Sequence, residues 1–197
     1  MPSETKWSID RAHSEITFKV KHLMIAHVKG SFRIFDASIY TWGNDFTTAV
    51  IDLWIDASSI TSDDEKRDEH LKSADFFDAA NYKQLTFASS TMAPANVNGH
   101  HELWGGLTIK GISKKVKLDV HFGGILNDPW GNERAGFTVT GKINRSDWGL
   151  QWNAIIEAGG IMVSDEVMIS CEFQLINPGQ KEFKMQLPSP EENKIMA

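Results

Sequence analysis

Alternation of apolar and polar side chains at every second position is the feature that most constrains the fold of this chain. Between Glu15 and His22, the residues Ile16, Phe18 and Val20 share one face, whereas two lysines and a threonine share the other. Similar alternation recurs at residues 51–55, 116–122, 137–143 and 167–175. Because successive side chains of a strand point to opposite faces, each segment is predicted to be a strand with one buried face.

Two further observations complete the predicted set of strands. The alternation changes phase between Val28 and Thr41, as expected of a β-bulge in one long, bending strand. Weaker patterns cover residues 84–91 and 100–109, and turn-like clusters at residues 42–45, 96–99 and 127–131 separate neighbouring segments. About eight strands predict an all-β fold, a lipocalin-like eight-stranded antiparallel barrel that holds packed side chains or one small ligand.

Length and composition agree with a single domain. The chain has 197 residues, 41% of them hydrophobic, which is enough for one sizeable core. Residues 1–176 are assigned to the barrel, and residues 177–197, rich in proline and charge, to a polar tail that leaves it. The net charge of -6 disfavours nucleic acid and anionic lipid surfaces as partners.

The sequence carries few signals of cellular location. Its first seven residues lack the basic and apolar regions of a secretory signal, and no later run approaches the roughly 18 apolar residues of a membrane span. We therefore expect a cytoplasmic protein without stable membrane insertion, or a periplasmic one if the chain is a mature form. Cys171 is the single cysteine, so no disulfide within the chain is expected.

Residues 62–79 depart from the strand pattern and are predicted to form a short helical lid. Ser62 opens a segment with the spacing of a capping box, which predicts a helix that begins there and ends near Lys72. A second short turn should carry Phe76 and Phe77. The apolar stripe of this segment is too narrow for a helix in a deep core, so we expect it to cover the open end of the barrel.

An apolar barrel under a lid predicts an apolar ligand. At ~0.8 kcal/mol per buried CH₂, one isoprene unit would contribute roughly 3 to 4 kcal/mol before the costs of binding, so a few units suffice. The side chains expected to contact the ligand are the inward strand residues Phe18, Val20, Phe32, Ile51, Leu53, Ile55, Leu107, Leu118, Phe122, Phe137 and Ile169, with Leu71, Phe76 and Phe77 of the lid.

A few polar residues are candidates for contact with a ligand. Arg67 and Asp68 lie on the predicted helix, where they could hold a polar head group or could simply be solvated. His22 continues the inward face of its strand but is more simply a hydrogen-bonded barrel residue. The spacing of the histidines does not suit a metal site, and motifs of hydrolases, metalloproteases and phosphate loops are absent. We therefore assign no catalytic residue, no metal and no required cofactor.

Ordered motifs between Trp7 and Leu175 resemble the YceI-like family of lipid-binding barrels. They include Trp7-x-Ile-Asp10-x-x-His13-Ser14, Gly30-x-Phe32, Arg67-Asp68-x-His70-Leu71, Asp75-Phe-Phe-Asp78, Gly106-Leu-Thr-Ile-Lys-Gly111 and Arg145-x-Asp147-Trp-Gly149. The resemblance implies a barrel, often dimeric, whose interior takes polyisoprenoids or related amphiphiles such as quinones and fatty amides, for storage, transport or stress response. It also implies recurrent polar positions, which become head-group candidates: His13, His22, Arg67 and Asp68.

We therefore expect a homodimeric protein that binds a lipid and is not an enzyme. One alternative is an enzyme that acts on an apolar substrate through His22, Arg67 or Asp68, which would have to converge on the cavity. Another is a solid barrel that serves as a dimeric interaction scaffold. Its contact residues would be the outward Trp54 and Met168 and the unplaced Trp42 and Trp104.

Overall fold

Eleven strands and one α-helix make up the regular structure of residues 3–154 and 162–177, which are the residues that the computed structural model describes. The helix, α1, spans Glu65–Lys72, and 3-10 turns occur at Arg11–His13, Ala57–Ser59 and Arg145–Trp148. The strands are β1 (Glu4–Ile9), β2 (Glu15–His22), β3 (Ala26–Phe32), β4 (Phe35–Trp42), β5 (Asp45–Asp56), β6 (Ile60–Thr61), β7 (Gln84–Met92), β8 (His100–Ile109), β9 (Ile112–Asn127), β10 (Glu133–Asn144) and β11 (Val163–Asn177).

The sheet is antiparallel and closes on itself, because β1 pairs with both β4 and β11. The order around the ring is β1-β4-β5-β7-β8-β9-β10-β11. The strands β2, β3 and β6 continue the sheet from β11, in the order β11-β2-β3-β6. The result is a closed eight-stranded antiparallel barrel, which confirms the predicted fold class. Asn177, the first residue assigned to the polar tail, is the last residue of β11, and the rest of the tail lies outside the described residues.

The phase change predicted between Val28 and Thr41 has a different origin from the one expected. The chain forms two strands, β3 and β4, with a break at Arg33 and Ile34. At the break, the Arg33 amide donates to the Ser59 carbonyl (3.2 Å) and the Ile34 amide donates to Ser59 Oγ (3.1 Å). Because the break spans two residues, inward positions change from even to odd numbers, and the single bulged strand of the sequence prediction is wrong.

The N-cap of helix α1 lies two residues later than the sequence pattern predicts. Its N-cap is Asp64, whose carboxylate accepts a hydrogen bond from the Arg67 amide (3.0 Å). The predicted cap, Ser62, instead binds Asp68 through its own amide and hydroxyl. An aspartate at the N-cap satisfies a free amide of the first turn as well as serine does. The predicted end of the helix at Lys72 is confirmed.

The two ends of the barrel are built from different connections. One end carries the β4–β5, β7–β8 and β9–β10 turns and is called the closed end below. The other end carries the β2–β3 and β8–β9 turns, α1 and the beginning of the connection from β10 to β11, and is called the lid end. None of the helices in the described ranges is long and apolar enough to cross a membrane.

Candidate functional site

An apolar cavity of about 210 Å³ lies inside the barrel between its two ends. Inward side chains of the strands form its wall, so the barrel is not completely filled by its own residues. Ten of the residues predicted to contact a ligand line it, namely Phe18, Phe32, Ile51, Leu53, Ile55, Phe77, Leu107, Leu118, Phe137 and Ile169. Their contact with a ligand stays a prediction.

Four other predicted contact residues do not line the cavity. Val20 shares the inward face of Phe18 but lies two residues nearer the lid end. Phe122 stacks on Phe137 at the closed end, with ring centroids 5.1 Å apart. Leu71 packs against the core from α1. The fourth is Phe76.

The two phenylalanines of the lid face opposite ways. Phe77 lines the cavity and packs edge-on against Phe32, with ring centroids 5.7 Å apart. Phe76 is buried outside the cavity, where its ring lies 5.1 Å from His70 and 5.3 Å from Trp152. We call His70, Phe76 and Trp152 the latch cluster. The lid therefore has an inner layer, Phe77, and an outer layer that holds it in place.

Four aromatic residues, which we call the aromatic plug, fill the closed end: Trp7, Phe46, Phe122 and Phe137. Phe46 is central, with its ring 5.1 Å from Trp7, 5.4 Å from Phe122 and 4.7 Å from Phe137. Trp7 is completely buried and its Nε1 donates to Thr41 Oγ1 (3.0 Å). Aromatic contacts of this kind add to the stability gained from burial. The cavity therefore has a floor at this end.

The two histidines proposed as head-group candidates lie away from the cavity. His13 is in the 3-10 turn after β1, with its side chain 65% exposed and its Nδ1 2.8 Å from Asp10 Oδ2. His22 is half-buried at the end of β2 and does not line the cavity. Neither side chain is placed to contact a ligand inside the barrel as it stands.

Arg67 and Asp68 hold the start of the lid together. Asp68 accepts hydrogen bonds from the Ser62 amide (2.7 Å), Ser62 Oγ (2.6 Å) and Thr61 Oγ1 (2.9 Å). Arg67 donates to Ser62 Oγ (2.7 Å) and to the Ser62 carbonyl (2.9 Å). Burial alone would raise the pKa of Asp68, but the hydrogen bonds from Ser62 and Thr61 and the charge of Lys72 outweigh it and lower the pKa. Asp68 ties α1 to β6 through Thr61, and Arg67 ties α1 to Ser62, the residue after β6. Neither residue lines the cavity.

Arg145 is the charged side chain among the described cavity residues. It is buried at the lid end, and it donates to the backbone carbonyls of Ser164 (2.9 Å), Trp152 (2.8 Å) and Leu150. Burial lowers its pKa, partly offset by the charge of Asp165. In the described ranges, the arginines that form ion pairs with carboxylates are Arg11, Arg33 and Arg134. The guanidinium of Arg145 is therefore held by carbonyls rather than by a carboxylate.

The remaining polar groups of the described cavity wall are unreactive. Thr17 donates its hydroxyl to the Ser170 carbonyl (2.5 Å) across the β2–β11 ladder. Burial raises the pKa of the Cys171 thiol to about 12, so this side chain is neutral at ordinary pH and is a poor nucleophile. In the part of the chain that the structure describes, no three His, Cys, Asp or Glu side chains are grouped to hold a metal ion.

Sequence reasoning missed three residues that shape the site. Arg145 was named only as part of a family motif, because the segment that follows its strand has no charge pattern that would single it out. Phe46 was missed because three extra residues in β5, between the Trp42–Asp45 and Tyr40–Val50 pairs, shift its alternation. Trp152 lies beyond β10 in a segment without periodicity. Each of these signals is broken by an irregularity of the backbone.

The outward apolar residues of the scaffold hypothesis do not form one surface. Trp42 is 57% exposed at the closed end. Trp54 and Met168 are half-buried on separate strands, β5 and β11. Trp104 lies under the ammonium of Lys115, 4.9 Å from the ring centroid. A dimer through these residues stays a prediction.

A closed barrel that encloses an apolar cavity under a lid belongs to the class of lipocalin-like barrels. Residues 7–175 match the YceI-like domain, so the chain belongs to the YceI-like family. A UPF0312 protein of Staphylococcus aureus strain MSSA476 is 39% identical over 174 residues, which is 87% of this chain and 98% of that protein. The family match therefore runs from Trp7 in β1 to Leu175 in β11.

Solved structures show the same fold. BcnA of Burkholderia cenocepacia is 25% identical, with a TM-score of 0.71 over 84% of this chain and 98% of that one. A mutant YceI protein of Campylobacter jejuni is 32% identical, with a TM-score of 0.69 over 85% of this chain and 95% of that one. A polyisoprenoid-binding domain from Saccharophagus degradans is 16% identical, with a TM-score of 0.59 over 88% of this chain and 99% of that one.

Proposed function

We propose that this protein binds the apolar chain of an amphiphilic lipid, an isoprenoid or another long-chain compound such as a quinone or fatty amide. The apolar cavity between the aromatic plug and the lid is the observation that carries the proposal. Enclosed apolar pockets with few polar groups are typical of sites for apolar ligands. The description of one structural relative as a polyisoprenoid-binding domain is in keeping with isoprenoid chemistry.

The size of the cavity favours partial insertion of the chain. Its volume of about 210 Å³ is below the roughly 300 to 1,000 Å³ typical of ligand pockets. A chain of many isoprene units therefore has to displace Phe77 or extend past the lid. The plug prevents extension through the closed end, because Phe46 contacts three other aromatic rings there.

Arg145 favours a polar end of the ligand at the lid end of the cavity. A guanidinium presents several fixed N–H donors that match carbonyl, carboxylate or phosphate oxygens. The carbonyls that hold Arg145 fix its position, while no carboxylate of the described residues pairs with it. The guanidinium donates to four carbonyls, those of Ser164, Leu150, Trp152 and Val163, so an oxygen of a head group would accept from its one remaining N–H, on Nη2.

The cavity is suited to binding rather than to catalysis. General acid–base or nucleophilic chemistry needs converging groups within hydrogen-bond reach. The alternative catalytic residues do not converge here, because Arg67 and Asp68 bind Ser62 and His22 does not line the cavity. Storage, transport or a stress response are the roles we propose for a protein that shields a lipid chain from water, with no required cofactor and with a homodimer as its expected assembly.

Extraction of bound lipid tests the proposal. The purified protein is treated with organic solvent, and the extract is analysed by mass spectrometry; a long-chain amphiphile is expected. The cavity-filling variant Ala49→Leu, at a residue of the wall, should carry less of it. Ala88→Leu, on the exposed face of β7, is the matched control. The proposal fails if no lipid is extracted and a fluorescent isoprenoid added to the protein does not bind.

A further inference from the structure

The β2–β3 turn has an unusual apolar tip. Leu23 and Met24 both have left-handed backbone conformations, with φ of 51° and 60°. His22 pairs with Ala26, so the connection has three residues, and the Ile25 amide donates to the His22 carbonyl (3.2 Å). Leu23 and Met24 are therefore the central residues of a β-turn with positive φ at both positions. Such positions strongly prefer Asn-Gly or similar pairs, because bulky side chains are strained there. Met24 is 52% exposed and Ile25 86% exposed. The tip therefore combines backbone strain with large apolar side chains in solvent, and strain of this kind often accompanies function.

Positive charge lies on the outward face of the hairpin behind this tip, and we call these basic residues the collar. Lys19 lies directly opposite Lys29, and Lys21 lies directly opposite His27. Their side chains face outward, since the alternating neighbour Phe18 lines the cavity. In the described ranges, the lysines that form ion pairs are Lys72, Lys117 and Lys142, and not the three lysines of the hairpin. Like charges directly opposite in a sheet destabilise it, so this arrangement does not serve the stability of the hairpin.

The hairpin lies beside the opening of the cavity. Its strands carry Phe18 and Phe32 in the cavity wall, with ring centroids 5.8 Å apart. The Leu23 amide donates to the Met162 carbonyl at the lid end (2.8 Å). From Phe18 to Leu23 the chain advances five residues, about 16 Å along an extended strand. A surface that holds the tip would therefore face the lid end.

We propose that the β2–β3 hairpin docks on the surface of an anionic lipid bilayer, with Leu23, Met24 and Ile25 in the acyl boundary and the three lysines at the level of the phosphates. Apolar residues flanked by basic ones bind such surfaces, because burial and attraction to anionic head groups act together. The purpose of docking, exchange of the ligand with the bilayer, rests on the proposed function. The docking itself does not.

The lysines of the collar attract the hairpin to an anionic bilayer in spite of the net charge of -6 on the chain. Charges farther than about 8 Å from the membrane are screened at physiological salt, so the nearest residues dominate. A second copy of the chain is a poorer occupant of this hairpin, because a twofold interface would bring two lysine collars together. Trp130 and Val97, two of the exposed apolar residues of the closed end, lie in turns between described strands rather than beside facing lysines, and Glu133 follows Trp130 at the start of β10.

Sedimentation with vesicles tests the docking. The full chain should sediment with phosphatidylglycerol vesicles and much less with phosphatidylcholine vesicles. The double variant Leu23→Asn with Met24→Gly gives the turn its preferred residues, so its melting temperature should rise while its vesicle binding falls roughly tenfold. Changing Lys19, Lys21 and Lys29 together to Gln should lower binding by roughly a hundredfold, about fivefold for each lysine. Val97→Asn and Lys6→Gln, both toward the closed end, are the matched controls and should bind like the unchanged chain.

The outcomes separate docking from ligand binding. In vesicle-free solution, the turn variant should bind a fluorescent isoprenoid as the unchanged chain does, whereas a failure of that binding in both proteins contradicts the proposed function alone. Docking is wrong if the unchanged chain ignores anionic vesicles, if the turn and lysine variants bind them normally, or if Val97→Asn loses binding. Loss of self-association in the turn variant, seen by light scattering without loss of vesicle binding, would identify the hairpin as a dimer contact and also overturn docking.

Discussion

The closed end and the lid end of this barrel seal the same cavity by different physical means. At the closed end, the aromatic plug is continuous with the strands, and Arg134 beneath it donates to Asp10 (2.6 Å) and Asp128 (2.8 Å). At the lid end, Phe77 covers the cavity from a segment that follows an eight-residue helix. Asp68 is the buried residue of that helix.

The way in which each end is sealed indicates which end can open. The residues of the plug lie on β1, β5, β9 and β10, so moving one of them disturbs several ladders of the barrel. The lid is held by the latch cluster and by the Asp68 network, which involve few strand residues. Segments with few buried apolar contacts open at lower free energy than the core. We therefore expect ligand exchange at the lid end.

Trp7→Ala should have the largest effect on stability and little direct effect on the lid. Removal of a fully buried tryptophan leaves a cavity in the plug, and the free energy of unfolding should fall by about 3 to 5 kcal/mol. Chemical denaturation measures the change. Trp130→Ala is the control at the same end, because its side chain is 76% exposed and its loss should cost less than about 0.5 kcal/mol. Similar losses in both variants would contradict the plug.

The lid phenylalanines should separate ligand retention from folding. Phe77→Asp places a charge at the cavity and should lower lipid retention by at least about tenfold, or roughly 1.4 kcal/mol of binding free energy. Phe76→Asp should instead lower the melting temperature, because Phe76 is buried in the latch cluster. The measurements are quantification of extracted lipid and thermal unfolding. Equal retention in the unchanged chain and both variants would mean that this segment is not a lid.

Asp68→Asn should weaken the attachment of the lid without altering the cavity wall. The amide cannot accept all the hydrogen bonds that the carboxylate accepts from Ser62 and Thr61, and the free energy of unfolding should fall by about 1 to 3 kcal/mol. Hydrogen exchange of the amides of α1 should accelerate more than that of β10. Glu69→Gln, on the exposed side of α1, is the control. Uniform acceleration over the barrel would contradict a local role.

Acid should lower the free energy of unfolding through groups at both ends. Of the four predicted effects, this one should be the smallest and the most gradual. At Asp128, burial would raise the pKa, but hydrogen bonds from Asn132, Arg134 and the Trp130 amide outweigh it and lower the pKa. A lowered folded-state pKa stabilises the fold above the unfolded value of about 3.9, and the stabilisation is lost as pH falls below it.

Unfolding free energies measured between about pH 7 and about pH 2 should therefore decrease below about pH 4. Asp128→Asn should make this decrease less steep, whereas Asp52→Asn, at an exposed position of β5, should leave the slope nearly unchanged. A steeper decrease in Asp128→Asn would show that the ionised carboxylate of Asp128 does not stabilise the folded state. The same variant should leave lipid retention unchanged, because Asp128 belongs to the closed end.

Much of the barrel was predictable because strand alternation depends on local sequence. The predicted bounds of β2 and β8 agree with the structure, and the lid segment was placed correctly. The strand β1 was missed because only two of its six residues, Trp7 and Ile9, are apolar, and Trp7 was recognised only within a family motif. The helix cap was misplaced because both Ser62 and Asp64 can cap, and only contacts with Asp68 distinguish them.

The candidate site was predictable only where alternation was regular. Ile51, Leu53 and Ile55 line the cavity as their spacing suggested, whereas the irregular part of the same strand concealed Phe46. Arg67 and Asp68 were singled out by their charge, yet their hydrogen bonds tie α1 to Ser62, the residue after β6. The charge of a residue in the sequence does not show whether its side chain binds a ligand or stabilises the fold through hydrogen bonds within the protein.

Local sequence predicted most of the strands, their buried faces and the place of the lid, because side-chain periodicity is a local property of the backbone. Which end is sealed depends on the folded barrel, since Trp7, Phe46 and Phe137 meet only when closure of the sheet brings β1, β5 and β10 together. The tertiary structure also determines that Phe77 rather than Phe76 faces the cavity and that Arg145 reaches its wall. These outcomes depend on strand register and on contacts between residues far apart in the chain, which no local pattern encodes.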